Sequence, residues 1–562
     1  MNFFDLAPTP TFTFLSPQFW GFLVLVLIGI WGTERRLRAR NAFLFLVSLL
    51  FYWKTNGWFV GLLLISTLID WSIGWQIFRS KGSTKKLWLA ASIFSNLGLL
   101  FFFKYAYFFA DALNPLLGTH WSPHLSMGQW ANNHLGTTFR VDQILLPIGI
   151  SFYTFQTLSY SVDIYRRQIL PCRSPLDFGF FVSFFPQLVA GPIVRAKDFI
   201  PQLHKPYSLS RTEFGMALFW ILNGLIKKIW LADYLAVNLV DRIFANPGGY
   251  SGFENVLGLY AYSLQVYADF SGYTDMAIGI ALLMGFRLPI NFKSPYKARN
   301  VGEFWQRWHI SLSSWLKDYL YIPMGGNRYA SSFTYVSIGF FLLFLLLMLP
   351  STGTRLIALG SALLIGASLV AFPQLRRRFS TNINLMITML LGGLWHGASW
   401  NFILWGALNG LGLIVYKGWR RISPWENRNR WWKHGLGIFL TFHFISATRI
   451  WFRSGSQVNW EDLSQPHDLW TEWFSANTML MQIIHRFWQS PFLEIIVGNA
   501  GILAIMLTGM TIHLLPESWK NSYRQAFASA STTGMLVATL GAICIAYLGV
   551  SSGLRPFIYF QF

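Results

Sequence analysis

Two histidines stand where an imidazole is costly to hold and useful to have. His396 lies in residues 390–404 (LLGGLWHGASWNFIL), within an apolar stretch running from 383 to 416. An imidazole titrates near neutral pH and can take a proton from a hydroxyl nucleophile, the step that transfer of a group to an alcohol requires. Around it sit Trp395, Ser399 and Asn401, with Gly392, Gly393, Gly397 and Ala398. Such small residues either let backbones approach closely or leave room for a substrate chain. His309 lies in residues 303–319, where Phe304, Trp308, Leu312, Trp315 and Tyr319 recur at helical spacing. Arg307, Ser311, Ser314, Lys317 and Asp318 take the other face, so the pattern predicts one amphipathic helix lying at a membrane interface. His309 falls near its polar boundary. Alone it reads as structural; beside His396 it becomes a candidate.

Acidic groups extend the anomaly. Asp269, Ser271 and Asp275 fall within YADFSGYTDMAIGIALLMGF (267–286), an otherwise apolar run. An ionisable side chain in hydrocarbon costs about 2.5 kcal/mol or more on insertion scales, so it is a functional candidate by default. For Asp275 alone, a hydrogen bond that packs two helices is the preferred reading. His443 and His513 sit in or beside apolar runs and read as packing residues. Cys172 and Cys544 form no CxxC pair, so neither a zinc nor a redox site is indicated.

The elements that must position these groups are membrane helices. Of 562 residues 53% are hydrophobic and 12% charged, and the mean hydropathy is +0.40. A soluble chain carries about twice that charged fraction. Ten apolar runs approach the roughly 20 residues that cross a bilayer core: 19–32, 58–78, 87–109, 214–240, 257–286, 333–349, 356–372, 439–451, 495–515 and 534–550. With short and fused runs counted, 11 to 14 spanning or re-entrant segments are expected, in an all-α polytopic protein of one membrane domain, 1–562. No cleavable leader is expected, since residues 1–17 lack a basic region.

The formal charge of +21 would suggest nucleic acid on a soluble protein. Here the basic residues lie in short loops between apolar runs, as the positive-inside rule requires. TERRLRAR (33–40) and RSKGSTKK (79–86) are separated by two runs, so one orientation makes both cytoplasmic and puts the N-terminus outside. Three wetter segments interrupt the membrane domain: 111–142, read as an extracytoplasmic loop, 419–433, basic and Trp-rich, and 453–477. Pro186, Gly191 and Pro192 break the apolar stretches of 147–195, either for packing or to line a wet cavity. The run 383–416 would be about 50 Å long as one helix. It therefore protrudes or bends near GGLWHG.

Six blocks make the sequence recognisable: LPIGISFYTFQTLSY (146–160), FVSFFPQLVAGPIVR (181–195), NGLIKKIWLAD (223–233), residues 267–286, RNVGEFWQRWHISLSSWLKDYLYIPMGGNR (299–328) and MLLGGLWHGASWNFILWG (389–406). With the closing PFIYFQF (556–562), they resemble the membrane-bound O-acyltransferase family, in the branch of the alginate O-acetylation membrane protein and the D-alanyl-transfer protein of Gram-positive walls. The resemblance implies a helical core with a central tunnel, His396 as the catalytic histidine and His309 as the second functional one. Asp269, Ser271, Trp305, Arg307, Trp308, Trp395, Ser399 and Asn401 become tunnel candidates. It also implies a cytoplasmic acyl donor, acetyl-CoA or an acyl-carrier thioester, and no bound cofactor or metal. The partners it implies are membrane lipid, an extracytoplasmic acetyltransferase of SGNH type and a polysaccharide acceptor such as alginate or another exopolysaccharide. Nucleic acid is not among them, and the implied location is the inner (plasma) membrane. The alternatives are D-alanyl or other acyl transfer, or a polytopic transporter or flippase.

One departure stands out. Residues 332–373 intervene where the branch usually has a short basic loop and one helix. They hold two apolar runs split by PSTGTR, read as an inserted transmembrane hairpin that returns the chain to the same side.

Overall fold

The computed structural model describes residues 12–119, 121, 133, 144, 146–349, 351–423, 431–456 and 469–550. Among them are helices and loops and no strand, as an all-α chain requires. The N-terminal part comprises α1 (Pro17–Thr33), α2 (Leu37–Asn56), α3 (Phe59–Arg79) and α4 (Gly82–Leu100), which runs through a π-helical turn, Phe101–Tyr105, into α5 (Ala106–Leu117). Next come α6 (Ile150–Tyr165), α7 (Arg211–Ile226) and α8 (Gly252–Leu283). The last two start in capping boxes: Ser210 and Ser251 accept from the amides of Glu213 and Glu254, whose carboxylates accept in return.

Helix α8 explains much of the arrangement. Its 32 residues make it about 48 Å long, and from Leu257 onward nearly every side chain is buried. It is the spine of the bundle rather than a lipid-facing span. Its carboxylates are neutralised by a second π-helical turn, Lys227–Asp233, at the end of α7. Lys227 Nζ lies 2.6 Å from Asp275, and Lys228 Nζ 2.7 Å from Asp269 and 2.8 Å from Asp233.

Four helices are long and apolar enough to cross a membrane: Phe59–Arg79, Gly82–Ala110, Arg211–Ala245 and Trp431–Gly455. Two bent pairs, Phe492–Gly498 with Ala500–Leu514 and Glu517–Ala528 with Thr532–Leu548, add to them, as do three shorter apolar helices. By this measure the count among the described residues falls below the expected 11 to 14. Length and hydropathy single out lipid-facing helices, whereas helices such as α8 carry polar groups satisfied inside the protein.

The site region runs through α9 (Val301–Arg307), α10 (Ile310–Trp315), α11 (Ser332–Met348), α12 (Thr352–Ala371), α13 (Pro373–His396), α14 (Trp400–Ile422) and α15 (Trp431–Gly455). Helices α11 and α12 carry the two apolar runs expected to form an inserted hairpin. A largely apolar cavity of about 340 Å³ lies between them and α13, lined by Thr334, Tyr335, Ile338, Phe379 and Ile383 among others, and the Thr334 hydroxyl donates to Asn384 on α13 at 2.8 Å. Most of 111–142, parts of 419–433 and 453–477, and the closing 556–562 lie outside the described residues.

Candidate active site

The long run 383–416 bends, and the bend is where the imidazole sits. Helix α13 ends at His396, Gly397 is extended, and α14 starts after Ser399, whose hydroxyl accepts from the Asn401 amide. The glycines serve close approach of the two helices. A methyl group at Gly393 would overlap the Phe402 carbonyl, and one at Gly406 the Met389 carbonyl. At Gly393, backbone proximity is the reading realised, whereas Gly397 makes room for the Phe402 ring.

The single amphipathic helix expected over 303–319 is corrected to two. Helix α9 stops at Arg307, Trp308 is extended, and His309 takes φ 44° and ψ 56° before α10 begins. A left-handed conformation costs a non-glycine residue about 1–2 kcal/mol, and it persists only where surrounding contacts enforce it. Periodicity missed the break because the stripe Phe304, Trp308, Leu312 and Trp315 stays buried on both sides of it. Asn291 enforces the turn. Its Oδ1 accepts from the Ser311 amide at 3.1 Å and the Ser311 hydroxyl at 2.9 Å, and it lies 3.2 Å from His309 Nδ1. An oxygen so engaged only accepts, so Nδ1 carries the hydrogen and Nε2 the lone pair. Far from marking a polar boundary, His309 is 0% exposed.

The two histidines converge on one indole. The Trp395 ring lies 5.9 Å from the His309 ring and 5.0 Å from that of His396, centroid to centroid. His396, 3% exposed, is boxed by Trp405 at 5.1 Å, Phe452 at 5.2 Å and Phe402 at 6.3 Å. His309 packs edge-on to Phe270 at 4.6 Å. A small cleft reaches His396, with Trp395, Lys104, Gly149, Ser151 and Phe152 on its walls. Gly149 has φ +81°, and a side chain there would strike the Leu188 carbonyl. The cleft holds about 20 Å³, room for a water but not for a thioester and an alcohol together.

The remaining sequence candidates distribute as follows. Trp395 joins the histidines, and Ser399 and Asn401 are buried at the start of α14 beside them. Trp305 reaches the site indirectly, its ring 5.7 Å from Trp405. Trp308 is buried under the Arg449 guanidinium, whose Cζ lies 4.4 Å from its ring. Asp269 is engaged in its ion pair with Lys228, and Ser271 is buried on α8; neither lines the His396 cleft. Arg307 pairs with Glu303. Burial would raise the Glu303 carboxyl, but hydrogen bonds from Arg299 and Arg307 prevail and hold it below its ordinary range. His443 and His513 pack against aromatic rings, as expected.

Sequence reasoning passed over Lys104 and Arg449, each a cation in an apolar run (FFFKYAYFF and FISATRIWF). The rule that singled out Asp269 would have found both.

Comparison with known proteins places the chain in a family. Residues 169–368 match the membrane-bound O-acyltransferase family, a span that holds His309 and stops short of His396. The chain is 34% identical over 547 residues to the "Probable alginate O-acetylase AlgI" of Azotobacter vinelandii, covering 93% of this chain and 95% of that one. It is 32% identical over 475 residues to the "Peptidoglycan O-acetyltransferase" of Helicobacter pylori, with 80% and 76% covered. The "Teichoic acid D-alanyltransferase" of Bacillus subtilis is 25% identical over 458 residues, with 78% and 96% covered. The chain belongs to the membrane-bound O-acyltransferase family and is an O-acyltransferase.

Proposed function

We propose that this enzyme moves an acetyl group from a cytoplasmic thioester to a hydroxyl acceptor, a serine of a partner protein or a sugar hydroxyl, for O-acetylation of an extracytoplasmic polysaccharide, with His396 as the base. The observation that carries the reading is the meeting of His309 and His396, distant in sequence, on one buried indole. An alcohol is too weak an acid to attack a thioester unaided at neutral pH, and positioned proton transfer is typically worth about 10²–10⁴-fold. In the step proposed, the acceptor oxygen bonds to the acyl carbon as its proton passes to His396. The tetrahedral adduct then breaks its carbon–sulfur bond, and the leaving thiolate takes the proton back. His309 positions the donor or completes a polar relay.

Acetyl as the group and polysaccharide as the acceptor are supported by the names of the alginate and peptidoglycan relatives. The donor is acetyl-CoA or an acyl-carrier thioester. An SGNH-type extracytoplasmic partner completes delivery, and the protein sits in the inner membrane with its N-terminus outside, as its basic loops favour. Incorporation of base-labile acetyl ester from radiolabelled acetyl-CoA, in membrane vesicles carrying the full chain, tests the reading. His396→Ala abolishes it and His309→Ala impairs it. Flux that survives loss of the imidazole would instead identify a transporter. D-alanyl transfer is the second reading, favoured by the teichoic acid relative, and carrier-bound D-alanine in the same vesicles distinguishes it.

A further inference from the structure

The helix that delivers His396 ends inside the protein, and its end is tied off by another part of the chain. The last carbonyls of any helix lack an amide partner within the helix, and inside a membrane such groups must be satisfied by protein. At the end of α13, Tyr105 donates from its hydroxyl to the Leu394 carbonyl at 2.8 Å. Lys104 Nζ donates to the Trp395 carbonyl at 2.6 Å and to the His396 carbonyl at 3.3 Å. Both residues sit in the π-helical turn Phe101–Tyr105, a local irregularity of the kind that re-aims side chains at functional positions. The ammonium also meets the partial negative charge that a helix gathers at its C-terminus.

We infer that Lys104 is a positioning residue for acyl transfer, fixing the terminal turn of α13 and with it the His396 imidazole. Two observations separate this role from plain helix capping. Lys104 lines the same cleft as His396, and its Nζ lies 3.4 Å from Ser151 Oγ across that cleft. The ammonium thus bridges two walls of the cleft: the terminal turn of α13, through the Trp395 and His396 carbonyls, and the start of α6, through Ser151. A capping bond elsewhere on α13 would set stability alone; at this turn it sets where the base points. Misplacing a catalytic group by about 1 Å is worth about 10²-fold in rate.

The inference rests on His396 acting as the base. The test measures acetyl-ester formation from acetyl-CoA, with kcat and KM for that donor, in vesicles carrying full-length wild type, Lys104→Met, Lys104→Arg, Tyr105→Phe or His396→Asn. Thermal unfolding of the purified proteins is measured in parallel. Lys104→Met is expected to lose about 10²-fold in kcat with donor KM within about twofold, and to unfold within a few degrees of wild type. Lys104→Arg keeps the charge and recovers most of the rate, while Tyr105→Phe keeps Lys104 and loses little. Near-wild-type kcat in Lys104→Met overturns the inference, as does a loss confined to KM, or a rate loss that merely follows a collapse in stability. An arginine variant as inactive as methionine, with both folded, also overturns it. An inactive wild type or an active His396→Asn defeats the underlying reading; an active Lys104→Met beside an inactive His396→Asn defeats this inference alone.

Discussion

Lys228 on the π-helical turn after α7 lies between two carboxylates, 2.7 Å from Asp269 and 2.8 Å from Asp233, with its own side chain 1% exposed. Removing the shared cation takes an ion-pair partner from two acids at once, whereas removing Asp269 leaves Lys228 paired with Asp233. Breaking a buried pair by deleting one member costs about 3–5 kcal/mol. Lys228→Met is therefore expected to unfold at markedly lower temperature than Asp269→Asn in detergent. Equal melting temperatures, or the reverse order, would show that Lys228 does not hold the pair together.

His309 meets a backbone demand beside the chemical role proposed for it. Asparagine tolerates the left-handed region better than alanine does. His309→Ala should lose about 1 kcal/mol more stability than His309→Asn, while both variants transfer acetyl poorly because both lack the imidazole. Circular dichroism melts checked against vesicle transfer rates separate the two demands. If the asparagine variant transfers at the wild-type rate, the ring of His309 has no part in the reaction.

The hairpin of α11 and α12 is proposed to be separable and peripheral. Many of its large side chains, among them Val336, Leu343, Ile357 and Leu364, are exposed, as lipid contact allows, and a buried hydrogen bond ties it to α13, the Thr334 hydroxyl donating to Asn384 at 2.8 Å. Replacing 332–373 with a short Gly/Ser bridge should leave a folded protein that inserts and retains acyl transfer. Failure of the deletion variant to insert at all would place the hairpin within the folding core.

Helices α2 and α3 separate the two basic loops near the N-terminus, and both are proposed to cross the membrane, which returns the chain to one side. Arg38 and Ser83 are both exposed. Cysteines at these positions, in a chain whose exposed Cys544 is replaced by alanine, should both resist a membrane-impermeant thiol reagent applied to intact cells. Labelling of one and not the other means that the two helices do not both cross.

Much of this architecture was legible because membrane burial leaves a coarse signature. All ten apolar runs fall largely on helices, and the bend at His396 is one of the two alternatives left open by a run too long for one crossing. The break at His309 was not legible, because a single left-handed residue leaves the 3.6-residue stripe of Phe304, Trp308 and Leu312 intact. The partners of Asp269 and Asp275 were hidden for a related reason. Lys227 and Lys228 stand far away in sequence, and only the packing of α7 along α8 brings them together. Lys104 was overlooked among phenylalanines, although an isolated cation in such a run is as costly as the acids that were noticed.

The central claim is that His396 removes the proton of the acceptor hydroxyl. Asparagine at 396 keeps polarity and similar size but cannot serve as a base. The decisive measurement is the rate of acetyl-ester formation by folded, membrane-inserted His396→Asn against wild type, with the same donor and acceptor. The account predicts a loss of about 10²–10⁴-fold, as severe as in His396→Ala. Transfer near the wild-type rate would contradict it and leave His396 as a hydrogen-bonding residue of the fold.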